Sequence, residues 1–175
     1  MPRRLALLLV LALAACTGRP SLDAPSMGGP DLALETFFEG RTVAWGQFQD
    51  VFGEVRRRFR VEVEGSWDGE RLTLVEDFVY EDGATERRVW TLRKTGPTTW
   101  EGTAPGVDGA ARGEVRGDVF NWRYVIDLPE TSGGFRAAFD DWMWLLSEDR
   151  LLNRAYVSRF GVPLGEVIIF FERPS

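Results

Sequence analysis

Val55-Arg56-Arg57-Arg58-Phe59-Arg60-Val61-Glu62-Val63-Glu64-Gly65-Ser66-Trp67 alternates with a period of two. Val55, Arg57, Phe59, Val61, Val63, Gly65 and Trp67 fall on one face; Arg56, Arg58, Arg60, Glu62, Glu64 and Ser66 fall on the other. One face is largely apolar and one is charged, the pattern of a half-buried strand. Asp68-Gly69 then signals a hairpin turn. Beyond it Leu72, Leu74, Glu76, Phe78 and Tyr80 share one face of a second strand. Asp82-Gly83 turns the chain again, and Val89 to Leu92 lies in the strand that returns. Gly96-Pro97, residues 106–109 and Gly117-Asp118 mark further turns. Phe120, Trp122, Tyr124, Ile126 and Leu128 share a face, with Asn121, Arg123 and Asp127 opposite. Phe135 to Leu146, Leu151 to Phe160 and Leu164 to Arg173 complete the series, with Gly161 and Pro163 reading as a turn.

Leu32 to Phe38 reads as a short helix or a first strand, and no later segment has a long helical period. Consecutive strands joined by tight turns make a meander. A meander of nine or ten strands must close or leave exposed edges, and closure removes the edges. The fold expected is therefore all-β: an antiparallel up-and-down barrel of lipocalin or fatty-acid-binding type. A two-sheet sandwich is the alternative. Alternation alone does not say which face is inside, and a membrane-spanning barrel would turn the apolar face outward. The strands lack clear aromatic girdles at both ends, which argues against that arrangement.

The N-terminus carries a different signal. Arg3 and Arg4 precede an apolar run from Leu5 to Ala14, and Leu13-Ala14-Ala15-Cys16 closes it. Ten apolar residues are too few to span a bilayer, which takes ~20. The proportions are those of an export signal peptide, and a Cys after two small residues is the site that lipoprotein processing acylates. An ordinary secretory signal or a short anchor helix are the plainer alternatives. The expected organisation is a signal peptide at 1–15, the lipidated Cys16 with a flexible Gly/Pro/Ser-containing tether at 16–31, and a barrel at 32–175. More than one lipid chain anchors firmly. By resemblance to lipoproteins of double-membrane bacteria, in which Asp after the Cys favours inner-membrane retention, Thr17 implies the periplasmic face of the outer membrane.

Composition bounds the chemistry. Cys16 is the only cysteine, so lipidation leaves no thiol for a disulfide, metal or redox role. There is no histidine, which excludes Ser-His and Cys-His catalysis and His-ligated metals. No phosphate loop, zinc spacing or nucleotide fingerprint is present, so neither cofactor nor metal is expected. Without the signal's two arginines, 21 basic residues become 19 against 27 acidic, a net of −8. That disfavours both nucleic acid and anionic lipid head groups as the main partner, because both reward positive charge. Seven Trp, twelve Phe and three Tyr suit a β core or an apolar ligand cavity.

Segments spread along the chain carry a resemblance. They are Phe37-Phe38-Glu39-Gly40, the run from Ala44-Trp45 to Gln49-Asp50, Asp77-Phe78-Val79-Tyr80, Asn121-Trp122-Arg123-Tyr124, Asp140-Asp141-Trp142-Met143-Trp144, Asn153-Arg154 and Phe170-Phe171. Through them the chain resembles an uncharacterised family of bacterial lipoproteins known only as a domain of unknown function. The resemblance brings no established activity and implies a connection with fatty acyl chains. The Gly-x-Trp opening of lipocalins is not met, since Gly40 is followed by Arg41-Thr42.

Candidate binding residues follow from the faces. Glu76 shares its face with Leu72, Leu74, Phe78 and Tyr80, so an inward face makes it a buried carboxylate that must be paired, hydrated or protonated. Arg88, on the neighbouring strand, is the expected partner, either as a polar anchor for a headgroup or carboxylic acid, or as a structural ion pair at the rim. Trp90, Trp122 and Tyr124 are the expected aromatic lining. Asp140 and Asp141 point to opposite faces, so only one is inward. The candidate is Asp141, with Arg154 or Arg136 as its partner. The expected ligand set is Glu76, Arg88, Trp90, Trp122, Tyr124, Asp141 and Arg154. Ser158 lacks an activating base, and the Arg56-Arg57-Arg58 cluster is split between faces. The function expected is a membrane-anchored barrel that binds a fatty acid or lipid. A solid-cored accessory protein docking an unknown partner is the alternative, and an enzyme is the least supported reading.

Overall fold

The computed structural model describes residues 18–26 and 28–174. The expected signal peptide at 1–15, Cys16 and Thr17 lie outside the described residues. A one-turn helix, α1 (Leu34–Phe37), precedes ten strands. These are β1 (Gly40–Asp50), β2 (Val55–Trp67), β3 (Arg71–Tyr80), β4 (Thr85–Lys94), β5 (Thr99–Thr103), β6 (Ala111–Arg116), β7 (Val119–Asp127), β8 (Arg136–Ser147), β9 (Arg150–Arg159) and β10 (Val162–Glu172). Each strand pairs antiparallel with the next, and β1 also pairs with β10, closing the barrel. The meander expected from the turn signals is the observed topology.

The apolar face is the inner one. Val61, Val63, Leu72, Trp90, Phe120 and Trp122 are buried. The outer wall carries cross-strand ion pairs such as Arg87–Asp77 at 2.6 Å and Arg41–Glu62 at 3.2 Å. Turn chemistry sets the registers. The Asp68 carboxylate accepts the backbone N–H groups of Glu70 and Arg71 at 2.8 and 2.7 Å, which fixes the β2–β3 hairpin. Pro163 is a strand residue rather than part of the turn. It sits second in β10 beside a bulge between Pro163 and Gly165, where its missing N–H disturbs the ladder least.

The two ends of the barrel differ. α1 lies at the end where β1 begins and β2 finishes. There Leu34 and Phe37 are buried, Phe38 meets Phe171 edge-on at 5.7 Å, and the Leu32 N–H donates to the Gly117 carbonyl. Gly65 permits this seating: a Cβ there would stand 1.7 Å from the Phe38 carbonyl oxygen. Trp100, Phe120, Leu72 and Leu151 pack this end densely. At the other end the β7–β8 connection, residues 128–135, runs across the mouth and includes a short 3₁₀ turn (Glu130–Ser132). It touches the opposite wall, because Arg57 of β2 donates to the Thr131 carbonyl and the Ser132 hydroxyl reaches Glu86 of β4 and Tyr80 of β3.

Candidate functional site

Between the packed end and the mouth lies a cavity of about 280 Å³. That is near the lower edge of the roughly 300–1,000 Å³ typical of small-molecule sites. Its wall is mainly apolar: Phe59, Val61, Leu74, Phe78, Trp90, Trp122, Phe139, Met143 and Ile169 face it. The rings interlock, with Trp90 edge-on to Trp122 at 5.9 Å and to Tyr124 at 5.1 Å, while Tyr124 stacks on Phe139 at 5.0 Å. Gly113 makes room for this layer, since a Cβ there would meet both Phe120 and Trp122 at 2.6 Å.

A polar belt crosses the apolar wall. Glu76 and Arg88 are direct cross-strand partners on β3 and β4, and both face inward as their alternation requires. The guanidinium, however, bonds Glu86 on its own strand at 2.5 Å. Among the described residues no ion pair reaches Glu76. Burial pushes its carboxyl up to about 7, against the opposing pull of Arg88 and with the Glu86 charge adding to the rise. Asp141, on β8, is 7% exposed, and Tyr124 donates to its Oδ2 at a long 3.5 Å. Its Oδ1 is buried and has no hydrogen-bond partner. Burial, with the charges of the neighbouring Asp140 and Glu76, raises Asp141 to about 8 against the pull of Arg88 and the Tyr124 hydroxyl. Tyr124 itself is pushed well above the ordinary phenol value by burial and by Asp141.

Glu86 behaves differently. Burial alone would raise it, but Ser132, Arg88 and Tyr80 together hold it below its usual value. It ties three elements together: Ser132 donates at 2.5 Å, Tyr80 at 2.9 Å and Arg88 at 2.5 Å. Arg57 stacks over the Tyr80 ring at 3.4 Å and completes this latch on the mouth loop.

Six of the seven residues expected at a ligand site therefore line one cavity: Glu76, Arg88, Trp90, Trp122, Tyr124 and Asp141. Arg154 does not. Asp141 pairs in register with Ala155, so Arg154 points to the outer wall and bonds Glu166 at 2.6 Å. Arg136 is not the partner of Asp141 either; it pairs with Asp127 at 2.9 Å, again outside. The expected Glu76–Arg88 ion pair is replaced by Arg88–Glu86. Sequence reasoning missed Glu86 and Ser132. Glu86 could have been found from its spacing, two residues before the inward Arg88 and so on the same face. Ser132 sits in an irregular turn that no periodicity marks.

A closed ten-strand up-and-down barrel with an aromatic cavity defines the class: a lipocalin-like barrel. The chain belongs to the family described as protein of unknown function (DUF3833), whose model matches residues 10–173. No curated protein matches it in sequence. Among solved structures it is similar to the S-type phycobiliprotein lyase CPES from Guillardia theta, with a TM-score of 0.62 at 11% identity over 82% of this chain and 94% of that one. A de novo designed fluorescence-activating β-barrel gives a TM-score of 0.45 at 14% identity over 82% of this chain and 99% of that one. The barrel EF1p2_mFAP2b bound to DFHBI gives 0.44 at 9% identity, covering 79% and 94%. At these identities the likeness shows the fold alone.

Proposed function

We propose that this barrel binds a small amphiphile, of lipid-like apolar body, and that Cys16 holds it on a membrane surface beside its ligand supply. The observation that carries the reading is the unpartnered Asp141 Oδ1 inside an otherwise apolar cavity. A buried acceptor left unsatisfied is costly, and this one, unlike those of Glu35 and Thr42, faces open space that a ligand can fill. A bound molecule offering a hydrogen-bond donor relieves that cost.

A cationic head group would hold the Glu76 and Asp141 carboxyls in the ionised form that burial alone disfavours, which favours a donor-ended ligand over a free carboxylate. Glu76 and Asp141 share the cavity with two guanidiniums, and both are already engaged: Arg88 by Glu86, and Arg57 at the mouth by the Thr131 carbonyl and Asp82. Trp90, Trp122 and Tyr124 add aromatic faces that favour a cationic nitrogen. Titrating the protein with decylamine, decan-1-ol and decanoate near neutral pH tests this through the fluorescence of the cavity tryptophans. The donor-ended chains are expected to bind at least roughly tenfold more tightly than decanoate. Decanoate binding best, with loss on Arg88→Ala, would place the head group on Arg88 instead. No binding of any chain would remove the ligand reading.

The anchor has its own test. Intact-mass analysis of the mature protein is expected to show a chain starting at Cys16 with acyl groups attached, and Cys16→Ala should carry none. An unacylated native chain would refute the anchor.

A further inference from the structure

The mouth end of the barrel carries large apolar side chains in the open. Phe52, in the β1–β2 turn, is 85% exposed, and Phe160, in the β9–β10 turn, is 86% exposed. Val51 and Val162 beside them are also exposed. Because β1 and β10 pair, these turns are neighbours on one rim. Trp45, Val79 and Leu146 are exposed singly elsewhere, which is ordinary; the group on these adjacent turn tips, with Phe52 and Phe160 far the most exposed, marks a contact surface.

The Phe160 backbone strengthens the case. Phe160 and Gly161 form a two-residue turn, with Arg159 paired to Val162. Phe160 has φ +50° and Gly161 φ +78°. Such turns prefer Asn-Gly, because the first position is left-handed too. A phenylalanine held there is unusual, and retained local strain points to a use for the side chain.

The course of the N-terminal segment names the occupant. From Leu32 at the packed end, the chain runs back along the outer wall. Asp23 pairs with Arg116, and Arg19 then lies 3.8 Å from Asp140 and 3.9 Å from the centre of the Tyr156 ring. Asp140 and Tyr156 are in the mouth-side halves of β8 and β9. Cys16 is three residues further on, within about 10 Å of chain length. Arg19 therefore lies on the mouth side of the wall, and the few residues between it and Cys16 keep Cys16 within reach of that end.

We propose that this rim docks into the bilayer surface holding the Cys16 lipid, with Phe52 and Phe160 inserted among the head groups and the cavity mouth facing the membrane. The proposal rests on the anchor reading of Cys16. The mouth loop, latched through Ser132 and Glu86, then stands between the cavity and the lipid.

Acylation blocks the thiol of Cys16, so a cysteine placed elsewhere is the only free one. The test uses lipidated full mature protein in vesicles of phosphatidylethanolamine and phosphatidylglycerol. Phe52→Cys and, at the far end, Asp149→Cys each carry an environment-sensitive NBD label. The rim label is expected to shift to the blue and resist iodide, and to stay so in high salt. The Asp149 label is expected to remain in water. Phe160→Asn, which suits the turn, should melt at or above the parent temperature yet weaken the rim signal several-fold. A rim label that stays in water on vesicle-bound protein overturns the docking; so do equal signals at both ends, or a signal untouched by Phe160→Asn. Protein that neither carries acyl chains nor sediments with vesicles fails at the earlier step, the anchor.

Discussion

The double variant Glu76→Gln, Asp141→Asn is expected to melt well above the wild type in alkaline buffer and close to it in acid. Burial places the two carboxyls at about 7 and about 8, far above ordinary carboxylates. Between the unfolded and folded values the native state holds more protons than the unfolded chain. Stability from these groups is therefore complete below about pH 4 and is lost as the pH rises through 7 to 8. Each tenfold change in proton affinity corresponds to about 1.4 kcal/mol, so one group contributes on the order of 3 kcal/mol. The two do not simply add, because the charge on Glu76 is part of what raises Asp141. A chain of this size moves by roughly 2–4 °C per kcal/mol. Thermal melts from about pH 5 to pH 9 should show a fall of order 10 °C in the wild type and a nearly flat profile in the amide variant. A wild-type profile as flat as the variant's would mean that these carboxyls are hydrated like surface groups.

The second large effect concerns volume. Ala155 is 3% exposed, faces the cavity and lies in register with Asp141 across the β8–β9 pair. Ala155→Phe puts a ring into empty space in front of the unpartnered Oδ1. Interior space already present means the larger side chain need not displace the wall, so overpacking costs of about 1–3 kcal/mol are not incurred in full. Binding of the amphiphile should fall by roughly a hundredfold or more while the barrel still folds. Retention of wild-type affinity would place the ligand elsewhere, in which case the cavity is only a packing defect.

Much of this was written in the chain. Period-two alternation assigned the inward face of β2, β3 and β7, and so placed Glu76, Trp122 and Tyr124 correctly, because strand geometry leaves a side chain only two directions. The hairpin turns Asp68-Gly69 and Asp82-Gly83 set the β2–β4 meander through local chemistry alone. What failed was pairing. Arg154 looks like a counter-charge for Asp141, but which residue stands opposite is decided by register, and the β8–β9 register puts Ala155 there. Glu86 hid in the charged run Glu86-Arg87-Arg88, where no apolar residue marks a face. The latch on Ser132 joins β4 to a turn 46 residues away and leaves no local trace. Phe160-Gly161 was legible as a turn only through its glycine, since phenylalanine is a poor turn residue.

The most direct test of a ligand-holding interior is native mass spectrometry on the lipidated protein from its own cells, released from detergent in the gas phase. The wild type is expected to carry one extra small molecule, with a donor group on an apolar body, and Ala155→Phe is expected to carry none. Wild-type and Ala155→Phe proteins that both weigh only the acylated polypeptide would contradict the account.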